Sequence, residues 1–482
     1  MSMMNRKNGI HRLVAVLLVA VVAGTPVSVV TAYATSYESV LIKDVPHVWQ
    51  KPNFCGEACV EMMLKVRGHK GDQDWVFNQS DLNPLLGRGC VTRELKNALE
   101  AIGFRPGRVW HQVKARQAGA ELELLWKDMH ADLTKGIPSI VCMHYDDKPK
   151  ANEHFRLILG YDSDKDQVVY HEPDVEKGSY RRMKRDLFLK LWPLKYKKHI
   201  WTVIRFRLSA EKLKEWKVVQ TFTPADYAQH MLKLREKVDL KSFHVIIQAP
   251  FVVIGDESRG VVEHRGKRTV KWISDHLRKL YFTKDPKDIL DIWLFKDKES
   301  YLKHTKKFFN DEPDTPFGYF SHAHGALVMN IATGGGTLCH EVVHTFIETN
   351  FPACPSWFNE GLASLYEQCT ERNGRLLGMT NWRLAGLQKA IRGGTVPTFK
   401  ELCSTTSQHF YRQDKGTNYA QARYLCYYLQ RKDLLVKYYN EFRKNSKADP
   451  TGYKTLQKVL GVEDMKKWQE MWEKWILTLH FP

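Results

Sequence analysis

The sequence predicts an α+β protein built as two domains in tandem. Three observations carry this. Residues 35–210 mix helical and strand patterns, a charged and helix-forming stretch at 211–243 follows, and a second strand-rich start gives way after about Thr337 to helical patterns up to the C-terminus. At 482 residues the chain is too long for one small domain, and its 14 Trp, 22 Phe and 20 Tyr provide ample apolar area to bury, which excludes disorder as the main state.

Taken in order, Arg6, Lys7 and Arg12 precede an unbroken apolar run over 13–23, and Ala32-Tyr33-Ala34 supplies a small-x-small cleavage site. This predicts a secretory signal peptide over 1–34 and an exported, periplasmic or extracellular protein. A retained N-terminal membrane anchor over 13–34 is disfavoured by Pro26 and by polar Thr25, Ser28 and Thr31. The first domain, 35–210, is expected to hold a helix from Cys55 to about Gly68 and strands at 139–143, 155–160, 167–171 and 199–207. The connector, 211–243, is expected to be helical. The second domain, 244–482, opens with strands near 243–247 and 251–255, followed by a helix at 270–280, a strand at 292–295 and another at 326–332.

Charge narrows the partners little. The chain has 73 Lys+Arg against 54 Asp+Glu, a net +19, and the excess is spread over both halves. A diffuse surplus suits contact with an anionic cell surface better than a nucleic-acid footprint. The densest basic run, Arg181-Arg182-Met183-Lys184-Arg185 through Lys198, is interleaved with Phe188, Leu189, Leu191 and Trp192 and reads as the solvated edge of a buried element. Nine cysteines are too sparse for a disulfide-built scaffold, and an odd number leaves at least one thiol unpaired within an exported monomer. Cys354, Cys369 and Cys403 are the expected participants in any disulfides.

The strongest motif is His340-Glu341-Val342-Val343-His344. Residues four apart on a helix lie about 40° apart around its axis, so both imidazoles can reach one metal ion while Glu341 projects beside them as a base. Leu338, Val342, Thr345 and Phe346 form a separate stripe that would bury the helix. Sixteen residues after His344, Trp357-Phe358-Asn359-Glu360-Gly361 begins a second helix with a carboxylate. Two His and one Glu, with one position open, form the ligand set of a hydrolytic Zn2+ site. His322 and His324 are read as incidental.

A second constellation involves a thiol. Cys55 begins its helix, where the dipole and unpaired N–H groups favour a thiolate, and Gln50, five residues earlier, could supply an amide to an oxyanion. About a hundred residues on, His154 starts a strand, and His171-Glu172-Pro173-Asp174 supplies a carboxylate to orient it. Glu57 in the helix's first turn opposes thiolate formation.

These residues carry two resemblances. Residues 35–210 resemble the papain-like cysteine peptidases that remove double-glycine leaders, which implies Gln50 for the oxyanion, Cys55 as nucleophile, His154 as base and the carboxylate before Pro173, here Glu172 where that family usually has Asp, as orienter. Residues 244–482 resemble the gluzincins, the thermolysin-like zinc metallopeptidases. That resemblance implies His340, His344 and Glu360 as zinc ligands, Glu341 as general base, a Tyr or His oxyanion donor for which Tyr419 is the candidate, and the strand at 326–332 lying along the substrate backbone. The expected protein is thus an exported tandem peptidase acting on peptide or protein substrates. Two other readings stay open: a zinc peptidase whose thiol-like domain only binds, and a non-enzymatic exported protein that binds an anionic polymer.

Overall fold

A computed structural model describes residues 37–217, 221–412 and 417–481. The expected signal peptide lies outside the described residues, among which no helix is long and apolar enough to cross a membrane.

The first half is organised by an antiparallel sheet in the order Trp110–Lys114, Ile200–Arg207, Ser139–His144, Glu153–Asp162, Gln167–His171, Arg181–Lys184, with Val40–Leu41 pairing to Glu153–Asp162. Strand alternation sends Ile140, Cys142, Leu157 and Leu159 to one face, where they meet Ala58, Cys59 and Met62 of the helix Cys55–Val66. The opposite face carries Val141, Met143 and Ile158 against Trp126 and Met129 of the helix Ala118–Leu133. Both faces are therefore buried, which explains the near-continuous apolar runs of the central strands. The thiol helix ends at Val66, and Gly68 follows with a left-handed φ of 66°. The basic run is solvated on one side: Arg181, Arg182 and Lys184 are exposed on an edge strand while Met183, Phe188, Leu191 and Trp192 are buried.

The connector corrects an expectation. Among the connector's described residues only Pro224–Lys237 is α-helical, started by Thr223 with Pro224 in the first turn and Asp226 closing a capping box. Residues 211–217 carry no helix; they dock instead on the first domain, where the Lys214 N–H donates to the Ile102 carbonyl (2.8 Å) and Leu213 and Trp216 pack on its core. The helix itself faces both ways. Ala225 and Ala228 join the first domain's core, whereas Tyr227, Met231 and Leu234 join a cluster under the second sheet.

That second sheet runs His244–Gln248, Phe251–Gly255, Leu290–Phe295, Ala326–Asn330, Gly318–Ser321; the three inner strands are parallel and each outer one is antiparallel to its neighbour. The strand ahead of the motif helix is therefore internal, paired on both sides, and the edge beside the helix is Gly318–Ser321. The expected 270–280 helix begins as Trp272–Leu280 and is continuous through a wide turn at Gly266–Lys271 with Arg259–Arg265. A hairpin, Cys369–Arg372 with Arg375–Gly378, interrupts the helical C-terminal region. Its turn is Asn373-Gly374, both at positive φ, which is the dipeptide such turns require.

Candidate functional sites

The motif helix Gly336–Asn350 buries Leu338, Val342, Thr345 and Phe346 in the main core, as the stripe requires. His340 and His344 emerge from the other side with Nε2 atoms 2.9 Å apart. Glu360, on the following helix Ser356–Leu365, brings its carboxylate to 3.2 Å from the His340 Nε2 and 3.6 Å from the His344 Nε2. One ligand atom from each of the three lies within 4.8 Å of the others. His344 Nδ1 is held by Asn359 Oδ1 at 2.8 Å, and His340 Nδ1 faces Glu367 Oε1 at 3.1 Å. His344 thus has its far nitrogen held by a hydrogen bond and its Nε2 aimed inward, the arrangement that orients a metal-ligating imidazole, while the buried His340 Nδ1 stands beside the Glu367 carboxylate without a hydrogen bond of its own. Glu360 Oε2 is buried and receives no hydrogen bond, so these residues fit a cation. Among the described residues this is the one cluster of three or more His, Cys, Asp or Glu side chains able to hold a metal. His324 instead bonds Ser321 Oγ (3.0 Å), and His322 packs on Phe320, so that pair forms no second centre.

Glu367, Asn359 and Arg383 were not singled out by the sequence. Arg383 Nη2 and Nε donate to Glu367 at 2.9 and 3.2 Å. The helix start is glycine because a Cβ on Gly336 would lie 2.4 Å from the Glu367 carbonyl oxygen; this close approach is what brings Glu367 under His340. Burial alone would raise the Glu367 carboxyl, but His340 and Arg383 hold it down at about 2. Replacing Glu367 by Ala is expected to weaken zinc binding about 10- to 100-fold, read by competition with a chromophoric chelator.

Glu341 lines two cavities that meet at the histidines, and so does Tyr419. Tyr419 lies in the helix Thr417–Arg431 with the Arg383 guanidinium 5.2 Å from its ring centroid. A second tyrosine, Tyr411, missed by the sequence reading, donates its hydroxyl to Glu360 Oε1 at 2.8 Å.

In the first half, Gln50, Cys55, His154 and Asp174 line one cleft of about 800 Å³. His154 Nε2 bonds Glu172 Oε1, so Nδ1 is the nitrogen left for a reacting group. The longer carboxylate therefore does reach the imidazole. Its other oxygen accepts from Arg156 Nε at 2.6 Å, and Arg156 also donates to the carbonyls of His144 (3.2 Å) and Tyr145 (2.8 Å). Burial would raise Glu172, but His154 and Arg156 together bring it below the usual carboxylate range. The Gln50 amide nitrogen donates to Asp174 Oδ1 (3.0 Å), which leaves one of its two hydrogens for an oxyanion.

Cys55 departs from expectation. It sits at the helix N-terminus as foreseen, partly buried, yet burial pushes its thiol up to about 12 against backbone hydrogen bonds, and the nearby Glu57 adds to the rise. Glu57 is fully buried; desolvation pushes its own carboxyl up to about 7 although Oε1 accepts from the Cys90 N–H at 2.7 Å. A neutral thiol at pH 7 follows. Alkylation of Cys55 by iodoacetamide is expected to be slow at neutral pH and to accelerate as pH rises through the alkaline range; fast labelling at pH 7 would contradict this. All nine cysteines are free thiols, so Cys354, Cys369 and Cys403 do not form the expected disulfides.

Residues 42–200 match the model of the Peptidase_C39 like family. This part of the chain is a papain-like, C39-type cysteine-peptidase-like domain. Among solved structures, the peptidase domain of Streptococcus ComA, described as a bi-functional ABC transporter involved in a quorum sensing pathway, is similar over 34% of this chain and 100% of that one, at 17% identity with a TM-score of 0.22. No curated protein matches the chain.

Proposed function

We propose that the protein is an exported peptidase with two hydrolytic centres, a zinc centre at His340, His344 and Glu360 and a thiol centre at Cys55. The observation that carries the zinc centre is the convergence of three ligand atoms within 4.8 Å, with the distal nitrogen of His344 already held by Asn359. Zinc, when bound, would polarise a peptide carbonyl and acidify a water molecule. Glu341, which lines the cavities but is not one of the three ligands, takes that proton and delivers it to the leaving amine. Tyr419 faces the same cavities as the donor to the developing oxyanion. Asn359 holds the His344 imidazole, and Glu367 stands beside that of His340.

At the thiol centre, Cys55 attacks the carbonyl and forms an acyl-enzyme, with His154 as acid and base, Glu172 orienting the ring and Gln50 donating to the oxyanion. A second reading, in which this domain binds peptide without cleaving it, is favoured by the neutral Cys55 thiol and by the division of Glu172 between His154 and Arg156. Peptide cleavage profiled in parallel for wild type, Glu341→Gln and Cys55→Ala separates the two. Loss of one set of products in each variant supports two active centres, whereas full wild-type cleavage by Cys55→Ala on every substrate supports the binding role. Salt-sensitive polymer binding by a protein that takes up no zinc and cleaves nothing would overturn both.

A further inference from the structure

The two cavities that meet at the histidines are halves of one cleft, of about 430 Å³ on the side of Phe320 and His322 and about 770 Å³ on the side of Gln368 and Trp382. A separate cavity of about 320 Å³ lies further along the helix Thr417–Arg431. Tyr419 lines the cleft and Tyr427 lines this pocket, about 12 Å on along the helix axis. The backbone joins them as well. The N–H of Met379, in the pocket wall, donates to the carbonyl of Gln368, in the cleft wall, at 2.7 Å.

The hairpin makes this pocket basic. Thr370 pairs with Leu377 and Arg372 with Arg375, so strand alternation puts these four side chains on one face, and all four line the pocket. Glu371 and Leu376 take the other face, where Glu371 accepts from Trp272 Nε1 at 3.0 Å and Leu376 is buried. Like charges placed directly across a two-stranded ribbon destabilise it, and the last turn of the helix adds a third arginine, Arg431. One counter-charge is present: Arg375 Nη2 donates to Asp433 Oδ1 at 2.6 Å. Among the described residues Arg372 and Arg431 have no ion-pair partner, and both are exposed. Lys432 is turned elsewhere, over the ring of Tyr428.

The pocket floor is fixed before any ligand arrives. The Gln430 side chain accepts from the Gly378 N–H at 2.8 Å and donates to the Gly378 carbonyl at 3.0 Å, which clamps the hairpin to the helix. An opposed arginine pair on such a floor breaks a local rule of strand pairing in a way that an anionic ligand would offset. Asp433 shows the chemistry that fits, since a carboxylate already takes one guanidinium.

We propose that this pocket binds the carboxylates of an acidic segment of a peptide, docking a substrate whose scissile bond lies in the cleft. An extended chain rises about 3.3 Å per residue, so the acidic residues fall about four to six positions from the bond that is cut. The docking role rests on the zinc reading above, whereas the binding does not. Binding is therefore read first on the full chain kept in chelator, by the anisotropy of a labelled peptide carrying alternating Asp and Glu against its Asn and Gln counterpart. The acidic peptide should bind at low salt and be released as salt rises. Arg372→Gln and Arg431→Gln should each weaken it about fivefold, and Asp433→Asn, which frees Arg375, should tighten it by up to about fivefold. Asn tolerates the left-handed φ of 55° at this position. Arg181→Gln, on the exposed basic edge of the first domain, should change nothing. The zinc-loaded chain should then cut peptides with the acidic segment at that spacing with a lower KM than their amide counterparts and an unchanged kcat, a difference that Arg372→Gln should erase. Equal binding of the two peptides, equal weakening by Arg181→Gln, or an Asp433→Asn that binds no tighter would overturn the pocket. A KM indifferent to the acidic segment would overturn the docking role. Binding that follows these variants in a protein that takes up no zinc and cuts neither peptide places the failure in the zinc reading and ends the docking role with it.

Discussion

Replacing Glu341 by Gln is expected to lower kcat for chelator-sensitive peptide cleavage by about 10² to 10⁴-fold while zinc stays bound at one ion per chain. The amide has nearly the shape of the carboxylate but cannot accept and return a proton. Glu341 lies between His340 and Val342 on the motif helix, lines both halves of the cleft and stands outside the group of atoms that converge on the cation position. Among the described residues its side chain has no hydrogen-bond partner, so thermal stability should change little. The contrast with His344→Ala is diagnostic, since that change removes a ligand and should abolish zinc binding and cleavage together. Metal content by atomic absorption and single-turnover cleavage on the same sample decide the matter, and intact chelator-sensitive cleavage in Glu341→Gln would exclude this residue as the base.

How these sites could be read in the sequence depended on whether their geometry is local. The facing of His340 and His344 follows from helical spacing alone, and the apolar stripe beside them predicted which side would be buried. Glu360 was legible because the apolar pattern restarted around it. Glu367 and Arg383 were not, because they meet His340 through a crossing of the motif helix and the chain after Leu365 that leaves no periodic trace. Arg156 did leave one: it sits two residues after His154 on a strand, hence on the same face, and a buried arginine there needs a carboxylate. The thiolate expected at Cys55 failed for the opposite reason. The helix N-terminus and the opposing Glu57 in its first turn are local influences, whereas the burial that outweighs the dipole comes from how the loop at Gly89 and Cys90 packs over the helix. A Cβ on Gly89 would lie only 1.9 Å from the Asn53 carbonyl oxygen, so that packing is close. In the connector, 211–217 has helix-forming composition, but burial of Leu213 and Trp216 against the first domain decides its path.

Arg156→Met is expected to destabilise the first domain by about 3–5 kcal/mol, the cost of removing one partner from a buried ion pair. Both side chains are 4% exposed, so solvent screens neither. Methionine fills much of the volume but leaves Glu172 Oε2 without its donor and strips the hydrogen bonds from the carbonyls of His144 and Tyr145. Combining it with Glu172→Gln should recover part of the loss, because the uncompensated charge is then gone, and a double-mutant cycle measures that coupling. The pH dependence has a definite sign. Glu172 is held below its usual range in the folded protein, so the stabilisation it provides is complete above the carboxylate's unfolded pKa and is lost as pH falls through the lower, folded value. The gap between wild type and Arg156→Met should therefore be widest near neutrality and close in acid. Urea unfolding followed through the first domain's tryptophans, repeated from pH 7 down to about pH 3, reads both effects. A cost below about 1 kcal/mol, or a gap that widens in acid, would mean that Arg156 does not hold Glu172 in place for His154.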